Sequence, residues 1–174
     1  MIRKDTPVKD ALRLGNCEHG KDCPKCKEGC QQGSGCFSPD QIPTAAKFLN
    51  SSEETFKKVW VEPVMRFNTT LFRPKIKREG KHSGTCVFFD NDHGCMVQDV
   101  KPIECRISNH GEHGEALHLW FTLNYFVNPN DPQGVREWAN YIESGGVVIP
   151  GGSLNELVPN QNVLKKIMEY KMLK

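Results

Sequence analysis

Polar and apolar positions are spread unevenly along this 174-residue chain. The first third is rich in Gly, Lys and Cys and offers almost nothing to pack. Further on, Ser51-Ser52-Glu53-Glu54 has the form of a helical capping box, with Ser51 as the cap and Glu54 reaching back. Phe56, Val59 and Trp60 then fall on one helical face, the side that would meet a core. VFF, DNDHG and CMV (residues 87–97) predict a β-hairpin, two short apolar strands around an Asp/Asn/Gly turn. Pro102 favours the first turn of a short helix carrying Cys105 and Arg106.

Beyond that point Leu117, Leu119, Phe121, Leu123 and Tyr125 alternate, which predicts a strand, although so continuous an apolar run also fits a helix. Asp131-Pro132 signals a helix start, Val135, Trp138 and Ile142 have helical spacing, and Gly145-Gly146 is the stop. A last amphipathic helix is expected over 163–173. The IPGGS stretch (149–153) lacks the Lys-Ser/Thr of a phosphate loop and reads as a turn.

These elements predict an α+β fold: an irregular Cys-rich N-terminal part, a helical spacer, a β-hairpin plus short helix, and C-terminal helices. The division expected is a cysteine-cluster metal-binding domain at 1–108 and a C-terminal strand/helix extension at 109–174, packed on it. Hydrophobic residues make up only 37% of the chain and mean hydropathy is −0.55, so the core is modest. A small domain short of apolar surface usually needs a cross-link, which here predicts stabilisation by a metal.

Net charge is +2, so bulk charge gives no support to nucleic-acid binding. The basic stretch RPKIKREGK (73–81) lacks interleaved aromatics and reads as a solvated strand or loop. MIRKDTPVKDALRLGN has no apolar core of a signal peptide, and no apolar run approaches the ~20 residues that span a bilayer. A cytoplasmic chain with reduced thiols and no membrane partner is the expectation.

Chemistry is concentrated in eight cysteines: Cys17, Cys23, Cys26, Cys30 and Cys36, then Cys86, Cys95 and Cys105. Disulfides need an oxidising compartment, and a redox CPKC should follow an apolar strand, which this one does not. Metal ligation fits better. A C-x2-C step lets two thiolates face one metal, and Cys30 can close the same pocket with Gly29 relaxing the backbone. The hairpin would bring Cys86 and Cys95 near each other, and the helix start would add Cys105. Arg106 could donate to a cluster sulfide or offset thiolate charge. His19, His93, His110 and His113 read as solvent-facing turn residues, with a Cys/His site at His19 as the alternative.

In this combination the chain resembles the YkgJ-like cysteine-cluster family of zinc- or iron-chelating or iron–sulfur proteins. Cys23, Cys26 and Cys30 stand for its first cluster, and SPDQIPTAAKFLNSSEETFKK for its helical spacer. Cys86, Asp90, Gly94, Cys95, Lys101-Pro102 and Cys105-Arg106 stand for its closing segment. Where the family ends its first cluster on adjacent cysteines, this chain has Gly29-Cys30, so Cys17 or Cys36 would complete the set.

The resemblance implies metal binding and no defined reaction. Thiolate-only ligation suits both zinc and iron–sulfur clusters. An irregular ligand set gathered from distant segments favours one or two clusters, of 4Fe–4S type, over zinc knuckles. The expected role is electron transfer or cluster supply beside a protein partner or within a redox complex. The aromatic segment Trp120, Phe121, Tyr125 and Phe126 is a candidate docking face, with core packing as its other use. A structural zinc adaptor is the alternative, and an enzyme using the cluster is a third reading.

Overall fold

A computed structural model describes residues 1–16, 23–108 and 111–169, without the side chain of Cys26. The fold is mixed helix and small sheet, α+β as expected. Its helices are α1 (Val8–Leu14), α2 (Pro24–Gln32), α3 (Gln41–Phe48), α4 (Glu53–Val59), α5 (Ile103–Ile107), α6 (Gly114–Phe121), α7 (Pro132–Glu143), α8 (Leu154–Leu157) and α9 (Gln161–Glu169). Strands β1 (Val61–Arg66) and β2 (Thr69–Pro74) pair, as do β3 (Ile76–Lys77) with β4 (Thr85–Cys86) and β5 (Phe89–Asp90) with β6 (Gly94–Cys95).

The chain forms two compact units of interleaved segments. One comprises residues 1–11, 65–70 and 115–174; the other comprises 12–64 and 71–114 and contains every cysteine among the described residues. The cysteine-bearing unit thus extends a little past the expected boundary at 108, and the other takes in two earlier pieces of chain.

In the cysteine-bearing unit, Phe37, Ile42, Ala45, Ala46, Phe56, Val61, Cys86, Phe88 and Val97 form one buried cluster. Phe37 meets Phe56 edge-on, and Trp60 stacks on Phe88 at 5.5 Å between centroids. Residues 24–32 are helical rather than irregular. Pro24 is tolerated at the first helical position, and the Lys, Glu and Gln that follow are good helix formers. Gly29 accordingly lies inside α2, with open space where a side chain would go. The helical spacer is the pair α3 and α4. Ser52, not Ser51, caps α4 by accepting from Thr55 N, and Val59 is exposed while Phe56 is buried. The 73–81 stretch is strand and loop, with Arg73 and Arg78 both donating to Glu62. That pairing, to Arg78 above all, holds the Glu62 carboxyl below its ordinary range.

In the other unit the run from Leu117 is a helix, not a strand: α6 is continued by one π-helical stretch, Thr122–Phe126. Leu117, Leu119, Trp120, Phe121, Leu123 and Phe126 are all buried. A segment apolar on nearly every side carries no clear period, so its apparent alternation was incidental. The indole N–H groups find carbonyls, Trp120 at Thr6 and Trp138 at Gly152, each at 2.8 Å. The expected turn at 149–153 thus supplies an acceptor. Of the expected final helix, residues up to 169 are described and carry buried Leu164 and Ile167.

Asp131 starts α7 as expected, accepting from Gln133 N and Gly134 N, and α7 ends before Gly145 at φ 92°. Its carboxylate also accepts from Asn68 Nδ2 at 2.7 Å. Phe67 and Asn68 both have positive φ, a cost for non-glycine residues, offset here because Phe67 meets Trp138 edge-on at 5.2 Å. The Asn68 bond first, with the backbone amides, keeps the Asp131 carboxyl below its ordinary range. Replacing Asp131 by Ala should therefore lower unfolding stability by about 1–2 kcal/mol in urea titrations near neutral pH. A depressed carboxyl stabilises above its unfolded-state value and loses that contribution as pH falls, so the gap between the two proteins should narrow below about pH 4.

Candidate metal centre

The cysteines reach the site on separate elements. Cys30 lies in the last turn of α2, Cys86 on β4 opposite Ile76, Cys95 on β6 opposite Phe89, and Cys105 in α5. Local chemistry aims two of them. At the β5–β6 turn, Asp90 accepts from Asp92 N at 2.9 Å, His93 N at 2.8 Å and the His93 ring at 2.9 Å. Gly94 closes the turn at φ 78° and delivers Cys95. The hairpin is shorter than its apolar letters implied, because Cys86 pairs with β3 rather than with Cys95.

Helix α5 is only one turn long and is held from outside. Gln41 Oε1 accepts from Ile103 N at 2.9 Å and from Ser38 N at 3.0 Å. Glu104 Oε2 accepts from Cys36 N at 2.6 Å, and the Gly35 N–H donates to Cys105 Sγ at 3.1 Å. Pro102 sits at the cap position and Ile103 and Ile107 are buried.

These placements bring Cys30, Cys86, Cys95 and Cys105 within electrostatic reach of one another. Cys86 feels Cys30 and Cys95, Cys105 feels Cys86 and Cys30, and Cys30 feels Cys95. Burial dominates their titration. It pushes Cys86 up to about 11 and raises Cys105 as well, with neighbouring thiols adding to the rise. The Gly35 amide at Cys105, and the Lys101 ammonium at all four thiols, pull the other way. Among the described residues, no group of three or more Cys, His, Asp or Glu side chains is arranged to hold a metal ion. The four thiols share one neighbourhood without forming such a group.

Cys23 is buried at the cap of α2, and Cys36 is buried with its amide on Glu104. Cys17, His19 and His110 lie outside the described residues, as does the side chain of Cys26. His93 is exposed and bound to Asp90, and His113 is half-buried. Arg106, expected at the cluster, is exposed on α5; among the described residues, the cation acting on the thiols is Lys101. Lys101 stood in the sequence beside Pro102, but only the fold turns it to the thiols. Gln41, Glu104 and Gly35 carried no signal in the sequence at all. No family model, no curated protein and no solved structure matches the chain.

Gly35 is required by space. A Cβ there would stand 2.8 Å from Cys105 N and 3.0 Å from Cys105 Sγ. Replacing Gly35 by Ala should therefore displace α5 and cost about 1–3 kcal/mol in denaturant unfolding; an unchanged midpoint would contradict the packing described. The raised thiols give a second expectation. As pH rises, the unfolded chain releases the protons of Cys86 and Cys105 before the folded chain does. Metal-free protein should therefore lose stability above about pH 8.5, seen as a lower urea midpoint at higher pH.

Proposed function

We propose that this chain is an iron–sulfur protein in which Cys30, Cys86, Cys95 and Cys105 hold a cluster of 4Fe–4S type. The observation that carries the reading is the convergence of four thiols from α2, β4, β6 and α5 on one neighbourhood. In donor chemistry, though not in the arrangement described above, the set suits such a group. It is all sulfur, it has an amide N–H directed at one sulfur, and it has an ammonium group to offset thiolate charge. A bound cluster would need these four sulfurs at bonding distance and deprotonated, so its binding would be linked to folding.

When bound, the cluster supplies one-electron redox chemistry. The chain supplies the thiolates, the Gly35 N–H and the Lys101 charge. Electron transfer or cluster supply, within a protein complex in a reducing compartment, is the role this suits. It agrees with the resemblance to the YkgJ-like family. Cys17, Cys23, Cys26 and Cys36 are not assigned to this centre. No described helix is long and apolar enough to cross a membrane.

A structural zinc site uses the same donors and is the second reading, favoured by the modest core that a metal would brace. Anaerobic purification followed by quantification of iron, zinc and acid-labile sulfide separates the two. The cluster reading expects iron and sulfide in matching amounts and a visible absorption that bleaches with dithionite. Stoichiometric zinc in a colourless protein without sulfide would replace it with the zinc reading. Cys95→Ser should lower both metal content and solubility; unchanged metal content removes Cys95 from the ligand set.

A further inference from the structure

Two consecutive amides of the 34–37 segment are shared between two consecutive residues of α5. The Gly35 N–H goes to Cys105 Sγ at 3.1 Å, and the Cys36 N–H goes to Glu104 Oε2 at 2.6 Å. The Glu104 N–H returns to the Cys36 carbonyl at 3.4 Å. Glu104 is only 5% exposed, an expensive place for a carboxylate unless its hydrogen bonds matter. Gly35 explains why they do. No other residue fits so close to Cys105, yet glycine leaves its own peptide planes freer to turn than any other residue. An anchor on the next amide removes that freedom.

We infer that Glu104 is a positioning residue of the thiol centre: by holding the Cys36 amide, its carboxylate keeps the Gly35 N–H aimed at the Cys105 sulfur. This rests on the reading that the four thiols bind metal. Hydrogen bonds to ligand sulfur favour the charged thiolate, and partners of this outer kind are worth on the order of 10–100-fold in metal affinity.

The test uses the whole chain, stripped of metal under reducing conditions and titrated with Co2+, whose thiolate charge-transfer absorption reports sulfur ligation. Glu104→Gln and Glu104→Met both lack the charge and differ in the acceptor. Glu104→Gln should bind Co2+ close to wild type, while Glu104→Met should bind about tenfold more weakly. Amide exchange at Gly35 and Cys36, measured on the metal-free proteins, should be at least about tenfold faster in Glu104→Met than in Glu104→Gln. Equal affinity and equal exchange in the two variants overturn the inference, and so does a Gln variant as weak as the Met variant.

If Glu104→Met does not fold, wild type loaded with 113Cd decides. Scalar coupling from the metal to the Gly35 amide proton is expected, and its absence overturns the inference. A wild type that takes up no Co2+ through sulfur instead overturns the metal reading, and the exchange comparison then judges the Glu104 anchor by itself.

Discussion

The backbone of Gly35 lies against the sulfur and amide of Cys105, and the candidate centre depends on that contact. Helix α5 is a single turn, too short to persist by its own hydrogen bonds. It holds Cys105 in place because neighbours on three sides grip it: Gln41 at its first amide, Glu104 through Cys36, and the core through Ile103 and Ile107. A side chain at position 35 would push the segment away and release all of these together. The other thiols sit on a two-turn helix and on two strand pairs of two residues per strand.

The same burial has two consequences for the thiols. While protonated, Cys86 is an ordinary member of the core beside Phe88 and Val97, small and apolar. Ionised without a counter-charge it would be costly there, which is why its thiol is pushed to about 11. A metal reverses the balance by deprotonating the ligands outright. The Lys101 ammonium and the Gly35 N–H favour the ionised form, but burial outweighs them, and the folded chain holds these thiols protonated.

Much of this could be read in the letters, and the failures have physical causes. Asp131-Pro132 and Gly145 bounded α7 because capping chemistry is local, and Pro102 marked α5 for the same reason. The Asp90 to Gly94 turn was legible from its Asp, Asn and Gly. The 117–126 run misled because it is buried nearly all round and so has no reliable period. The stretch around Cys23 and Cys30 is helical because Lys, Glu and Gln between the cysteines favour a helix, a local preference that the cysteine spacing does not reveal. Arg106, beside Cys105 in sequence, is exposed, because neighbours on a helix point apart. Cys86 does lie near Cys95, but from β4, whose partner strand β3 lies upstream in the basic stretch.

The interleaving of the two units has a consequence for how the molecule can be taken apart. Chain passes from one unit to the other after residues 11, 64, 70 and 114, so neither unit is a single continuous piece. A truncation that keeps only the C-terminal segment loses the Phe67 edge on Trp138 and the Thr6 carbonyl that receives Trp120. Many of the tying contacts join residues far apart in sequence, such as Gly35 with Cys105 and Asn68 with Asp131. Such a topology delays folding until distant segments meet and makes the chain poorly divisible into modules, whether by proteolysis, by gene fusion or by recombination.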